Sequence, residues 1–452
     1  MSKFKVGAGI ASLDVADELY PVQSQFEPCE VKYDECNVRA IAIETEAKKV
    51  LLMFYELSDI PEVPDLEKKI AEAVGYDPDD IIITVTHNHS SPCDRGSRRV
   101  SEAERMAFRE FYFGIEMEAS LKAAKAAVES VRPAKYGYGE IDSYINANEI
   151  TRNPEIGFYC DPNGNGYSDK TLALLQFVDE NDKPICVMMN HCTHATSAGG
   201  PDKNGKRATS GDFPGITSRY LESYYGDGFI AAWTSGAAGN QHPLLSSFQL
   251  SYSDGYRSRA EMPNGSAHVL TEHTGRQHAV DAINGIARIT EFSDEMEIKH
   301  VKSSVKIENQ KKKIPGPDAF PPRVNYGPGV RSNQPNPAPA FVPPEIVDDP
   351  EHPTTLLMEM LTLGDVAILG LGCELFCQIG RDIKAALPAK HTIVVTHTPG
   401  YVGDNPHAVG YIVDKSSIGS HNVKMYRNLK PGHYDELIVN AAKDLYNKAI
   451  ES

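Results

Sequence analysis

The chain has 452 residues and a formal net charge of -17, with an isoelectric point near 5.4. Such an acidic surface repels nucleic acid and anionic membranes alike, and no basic patch offsets it, since Lys311-Lys312-Lys313 reads as a short solvated strand end. Hydrophobic residues at 41% and charged residues at 24% match an ordinary globular balance, which allows a sizeable core.

From the N-terminus onward, the opening MSKFKVGAGIASLDV has two lysines but no long apolar run and no small-residue cleavage site, so no export signal is expected. No apolar run anywhere is long enough to span a bilayer. Eight cysteines, at 29, 36, 93, 160, 186, 192, 373 and 377, follow no disulfide-framework spacing and read as reduced thiols in a cytoplasmic protein.

Short aliphatic or β-branched runs bounded by turn residues predict strands at 40–44, 49–55, 80–86, 172–178, 185–190, 229–233, 356–363, 366–371 and 392–396. Helical spacing predicts helices over 101–130, 213–225, 272–288, 375–387 and 434–450, with Asp212 as an N-cap and Pro214 in the first turn. Strands alternating with helices give the α/β class, mixed β-sheets covered by helices. Residues 240–270 are polar and read as a long loop. Residues 314–353 hold proline after proline and cannot form regular helix. Because strands resume directly afterwards, this stretch reads as an excursion within one domain spanning 1–452, serving as a lid or a dimer contact. Homo-oligomers are therefore left open.

The chemistry gathers at strand ends. In Ile81-Ile-Ile-Thr-Val-Thr-His-Asn-His89 a buried strand delivers His87 and His89, two residues apart and so on one side of extended backbone. Imidazole is a common zinc ligand, although two surface histidines in a turn would look the same. A second strand, 184–190, runs into His191 and His194. A third, 366–371, is followed by Glu374 at the start of a helix, where a carboxylate is also favoured by the helix dipole. A fourth, 392–396, leads to His397, Tyr401 and Tyr411. Open α/β sheets bind ligands beyond the carboxyl ends of their strands, so four such ends carrying His, His, Glu and Tyr or His mark one site.

These motifs resemble the neutral (alkaline, non-lysosomal) ceramidase family. The family's Thr-His-Thr-His-Ser-Gly-Pro is similar to Thr86-His-Asn-His-Ser-Ser-Pro92, its His-Pro-Thr/Val-Ser to His194-Ala-Thr-Ser197, and its Pro-Gly-Glu-Phe to Gly372-Cys-Glu-Leu375. Val6-Gly-Ala-Gly-Ile10, Ser210-Gly-Asp-Phe-Pro-Gly215 and Gly380-Arg381 fit as well. The resemblance implies one Zn2+ ion held by His87, His194, Glu374 and a tyrosine, Tyr411, with Tyr401 as the runner-up. It implies that His89 faces the scissile group and that Arg152 holds a polar substrate group. His191 and His397 are left as structural histidines. Zinc in such a set lowers the pKa of its water towards about 7, which makes hydrolysis of an amide or related acyl bond the implied reaction.

Two departures bear on the substrate. The family's Gly-Asp-Val-Ser-Pro-Asn element stands opposite Gly239-Asn-Gln-His-Pro243, which puts Asn240 and His242 where the family has aspartate and serine. The family's C-terminal immunoglobulin-like domain has no counterpart among these residues. A small polar substrate is therefore expected, with Asn240 and Arg152 lining its pocket and His242 as an added acid or base. A turn after the preceding strand accounts equally well for Asn240 and His242. The alternative reaction on the same site is lyase, isomerase or glycosidase chemistry on a sugar or hydroxy acid.

Overall fold

The computed structural model describes residues 4–25, 27–95, 100–153, 157–245, 250–251, 258–259, 263–312, 346–400, 409–417 and 434–452. One sheet has eight strands: β1 (Lys5–Ser12), β2 (Asn37–Glu44), β3 (Lys49–Tyr55), β4 (Ile81–Val85), β5 (Arg132–Asp142), β6 (Thr171–Asp179), β7 (Pro184–His191) and β8 (Ile230–Ser235). Their order across the sheet is β8-β7-β6-β5-β1-β2-β3-β4. A second sheet places β9 (Ile298–Lys312), β10 (Ile346–Leu363), β11 (Val366–Leu371) and β12 (His391–Thr396) side by side. Three neighbouring pairs run parallel, β3 with β4, β7 with β8 and β11 with β12, while the other neighbours are antiparallel.

Side-chain alternation divides the strands between two cores. On β2 and β3, Ala40, Ala42, Leu51, Met53 and Tyr55 meet α1 (Leu66–Val74) and α2 (Glu102–Glu129). Their neighbours Ile41, Ile43, Leu52 and Phe54 point the other way, onto Leu361, Leu363, Ile368 and Val395 of the second sheet. The other half of the large sheet is covered by α3 (Asp212–Tyr225) and α4 (Ser266–Ile286), and the outer face of the second sheet by α5 (Cys377–Ala386) and α6 (Asp435–Glu451). The result is four layers, helix, sheet, sheet and helix. Each fully buried Leu, Ile or Phe contributes about 1.5–3 kcal/mol, so these cores supply most of the cohesion. A buried ion pair also ties these layers: Arg39 on β2 donates from Nε to Glu222 Oε1 of α3 at 2.6 Å and from Nη1 to Glu56, fastening the sheet to the helix.

Most expected elements appear within a few residues of their places. Three differ. The polar stretch 240–270 is not all loop: Gln241–Pro243 pairs with Asn146–Asn153, Leu250–Ser251 pairs with Ser258–Arg259, and α4 begins at Ser266. The last part of the proline-rich stretch is strand, because β10 already starts at Ile346. Its prolines 350 and 353 fall where the register with β9 shifts, between Asn309↔Asp349 and Ile307↔Thr354, and such an irregularity needs no ladder hydrogen bond from them. Residues 314–345 lie outside the described residues. At α3, Gly211 is the N-cap and Asp212 opens the helix, accepting from the backbone N–H of Phe213 and of Ala198. The seven cysteines with described side chains are free and buried. Among the described residues no helix is long and apolar enough to cross a membrane.

The two sheets are stitched at one end, where the parallel strands terminate. Val85 N–H donates to His397 O at 3.2 Å, Thr396 Oγ1 to Gly236 O at 2.7 Å, and Asn190 Nδ2 to Val394 O at 3.1 Å.

Candidate metal centre

His87 follows β4, His194 follows β7 by three residues and Glu374 follows β11 by three, so one edge of the sandwich collects all three. Each imidazole is oriented by its own backbone carbonyl. His87 Nδ1–H donates to Ser58 O at 2.7 Å, and His194 Nδ1–H to Ala238 O at 3.1 Å. A carbonyl only accepts, so in the neutral rings both Nε2 atoms carry lone pairs. Both stand 3.6 Å from the same atom, Glu374 Oε2. That oxygen is buried and has no hydrogen-bond partner.

Two lone pairs and an unpartnered carboxylate oxygen converging in a buried place are the donor set that suits a cation. Ligand atoms about 2.0–2.2 Å from a tetrahedral ion lie about 3.3–3.6 Å apart, so the observed spacing fits a divalent metal without rearrangement. His89 Nε2 is 3.2 Å from His87 Nε2, and the ligand atoms of His87, His89 and His194 all lie within 4.8 Å of one another. His89 therefore reaches the same point, but from a partly exposed side, whereas His87 and His194 are 7% and 5% exposed.

The electrostatics agree with a cation-seeking site. Burial raises the Glu374 pKa, but His87, then His194 and the Tyr411 hydroxyl, outweigh it and keep the carboxyl below its ordinary value. Burial opposes charge on His87, yet the Glu374 carboxylate lifts its pKa. His194 is lowered by burial and by His87, and His89 is pushed well down by burial, His87 and His194.

Tyr411 is brought in by a two-residue parallel pair, Glu374–Leu375 with Tyr411–Ile412, in which Glu374 and Tyr411 are register partners. Its ring lies 6.4 Å from that of His194, nearly parallel at 30°. Tyr401 lies outside the described residues. Gly239 allows the close approach of the loop after β8: its N–H donates to Leu375 O at 2.8 Å, and a Cβ there would stand 2.6 Å from Glu374 O.

The remaining sequence candidates fall in different places. His242 is buried on Gln241–Pro243, donates from Nδ1 to Pro243 O at 3.0 Å, and is among the charges felt by His89. Asn240 is occupied elsewhere: its Oδ1 accepts from Cys377 N–H at 2.9 Å, capping α5 from outside the helix, and from Gln241 Nε2 at 3.2 Å. Arg152 lies on Asn146–Asn153 opposite Phe158, and its side chain is outside the described residues. His191 is fully buried and bonded through both nitrogens, to Thr193 Oγ1 and Ser143 O, with a pKa lowered to about 4 by burial. His397, read as structural, lies against the site. Its ring stacks on His87 at 4.0 Å and 13°, and both residues hold left-handed backbone, with φ of 59° and 56°. Only its place at the end of a strand pointed to it.

Fold and site together define a layered α/β protein with a buried histidine–carboxylate cluster at the carboxyl ends of its parallel strands. Residues 60–289, just over half of the chain, match the family "Neutral/alkaline non-lysosomal ceramidase, N-terminal", and the chain belongs to that family. Over 177 residues it is 25% identical to the neutral ceramidase of Pseudomonas aeruginosa, a match covering 38% of this chain and about a quarter of that enzyme. The crystal structure of neutral ceramidase from Pseudomonas aeruginosa superposes with a TM-score of 0.69 at 17% identity, covering 99% of this chain and 75% of the other. A ceramidase complexed with C2 gives 0.68 at 17% identity, covering 99% and 76%. At that identity the two structures speak for the fold.

Proposed function

We propose that this protein hydrolyses an amide or related acyl bond of a small polar substrate, with Zn2+ as its metal. The observation that carries the reading is the orphaned Glu374 Oε2, equidistant at 3.6 Å from two imidazole nitrogens whose other nitrogens are fixed on backbone carbonyls. When bound by His87, His194, Glu374 and Tyr411, zinc supplies a Lewis acid and a water of lowered pKa.

The chain's own residues provide the rest. Ser58 and Ala238 carbonyls fix the ring orientations, so the two Nε2 lone pairs are aimed before any ligand arrives. His89 is neutral at rest, since burial and its neighbours disfavour its cation, and it takes up a proton at Nε2 as water attacks. It returns that proton to the departing amine. His242, lying close enough to be felt by His89, orients the polar end of the substrate together with Arg152. Because Asn240 caps α5, the preference for a substrate more polar than ceramide rests on His242 and Arg152 rather than on Asn240.

Metal analysis of the purified chain, followed by incubation with N-acylated polar amines, tests the proposal. Stoichiometric zinc and release of free amine are expected. Less than about a tenth of an equivalent of metal, with no activity on adding zinc, would remove the reading, because a preformed three- or four-ligand site retains its ion. Intact acyl bonds beside a cleaved or rearranged sugar would replace hydrolysis with the alternative chemistry.

A further inference from the structure

Four histidines crowd the candidate metal centre, and their ring planes sort them into two kinds. The planes of His87 and His194 cross at 64°, those of His87 and His89 at 88°, and those of His89 and His194 at 84°. Imidazole lone pairs lie in the ring plane, so rings that cross in this way can aim at one point. His397 is different. Its ring lies face to face with that of His87, with 4.0 Å between centroids and 13° between planes. Planes so nearly parallel do not meet at a point about 2 Å from both rings, as sharing one ion would demand. His397 therefore meets His87 through the face of its ring.

Such a plate has a use. Ser58 O holds His87 Nδ1–H at 2.7 Å, which fixes one edge of the ring. A carbonyl accepts hydrogen bonds over a broad range of directions, so this bond alone leaves the ring room to tilt. A flat neighbour at 4.0 Å removes the tilt, and with it the scatter of Nε2, the atom that stands 3.6 Å from Glu374 Oε2. The plate is itself held firmly. His397 is 4% exposed, directly follows β12, and has left-handed backbone with φ 59°, a conformation that few residues with side chains adopt. Its N–H donates to Cys373 O at 3.4 Å, next to Glu374, and its carbonyl accepts from Val85 N–H at 3.2 Å, two residues before His87. One residue thus fastens the segments that carry two candidate ligands. Burial, then His87, His194 and His89, push the His397 pKa well down, so the plate is uncharged and does not repel a cation at the edge of His87.

We propose that His397 is a positioning residue for metal binding: stacked on His87, its ring holds the His87 ring in the plane from which Nε2 meets the ion, and His397 is not itself a ligand. This rests on the reading of His87, His194 and Glu374 as metal ligands. What His397 supplies is preorganisation, since a ring already in its plane has less freedom to lose on binding. The part is aromatic and steric. Another flat ring should fill it, and a side chain without a ring should not.

Zinc affinity of the whole chain, measured by competition with a chromogenic chelator, tests this against His397→Asn and His397→Phe. Asparagine tolerates left-handed backbone, so His397→Asn removes the ring at little backbone cost. His397→Phe keeps a flat ring and removes both nitrogens. Far-UV circular dichroism and urea denaturation establish that each variant is folded. His397→Asn is expected to bind zinc about tenfold more weakly, the lower end of the loss when a ligand's support is removed, and His397→Phe to stay within about threefold of the unaltered chain. Cobalt(II) in place of zinc reports the ligands directly, and its visible absorption in His397→Phe should match that of the unaltered chain. Should His397→Phe be too bulky to fold, His397→Asn carries the test, through lower affinity at unchanged intensity of the cobalt bands. The inference is overturned if His397→Asn binds zinc as tightly as the unaltered chain. It is also overturned if folded His397→Phe is as weak as His397→Asn or has altered cobalt bands, because a nitrogen of His397 would then be the active part. An unaltered chain that takes up neither zinc nor cobalt would remove the ligand set itself, and with it both the proposed function and this inference.

Discussion

Glu374 and Tyr411 face one another as register partners in a parallel pair only two residues long. Backbone pairing thus sets a phenol beside a carboxylate without any dedicated loop, and the Tyr411 hydroxyl helps keep that carboxyl ionised. Tyr411→Phe should retain the fold but weaken zinc by about tenfold or more, as loss of a ligand or of its hydrogen-bonded support generally does. Competition with a chromogenic chelator measures this, and unchanged affinity would transfer the fourth position to another residue.

His87 and His89 should part company on mutation. His87→Ala removes an anchored imidazole and is expected to empty the site of metal. His89→Ala should keep the metal while lowering turnover by about 10²–10⁴-fold, the usual range for a lost acid–base group. Metal content and kcat measured on the same preparations decide it. Equal metal loss in both variants would make His89 a ligand.

Asn240→Ala should act on stability rather than on substrate. Its side chain caps α5 through Cys377 N–H, so about 1 kcal/mol is expected to be lost, with KM little changed. Urea denaturation and steady-state kinetics separate the two effects; a raised KM at unaltered stability would return Asn240 to the substrate pocket.

Gly239→Ala places a Cβ 2.6 Å from the Glu374 carbonyl oxygen, with backbone rather than a flexible tip to give way. A loss of about 1–3 kcal/mol is expected, together with weaker metal binding, because the displaced backbone carries a ligand. Thermal melts with and without zinc report both.

The Asp80–His300 contact makes stability depend on pH with a definite sign. The folded pKa of His300 is raised, so its contribution is complete below about pH 6.5 and is lost as pH rises through the folded value. Asp80 is lowered, so its contribution is present above about pH 4 and is lost as pH falls through its folded value. His300→Gln should therefore cost most, about 1–3 kcal/mol, between these limits, and little in alkali. Urea midpoints at acid, neutral and alkaline pH check the profile.

Much of this was legible because strand ends carry direction. A buried strand such as 81–85 fixes where its next residues point, and His87, His194 and Glu374 could be read from apolar runs stopping at ligand-type residues. The anchoring carbonyls of Ser58 and Ala238 were not legible, since every residue carries a carbonyl and only the fold chooses which one is used. Asn240 misled because a polar residue near a site and a helix cap look alike until the helix is placed. The helix Leu66–Val74 went unread, being only nine residues long, and β10 was truncated because Pro350 and Pro353 look like breaks until the irregular register beside them is seen.

Cross-sheet hydrogen bonds, among them Val85 to His397, Thr396 to Gly236 and Asn190 to Val394, join the sheets at the very end that carries the candidate ligands. The candidate metal centre is consequently a seam: His87 and His194 follow strands of one sheet and Glu374 a strand of the other. A chain whose sheets slide or part by an ångström retains its helices and strands but loses the convergence of donors. Under the proposed function, zinc retention is thus expected to gauge whether the two halves of the sandwich are in register, more sensitively than any measure of secondary structure.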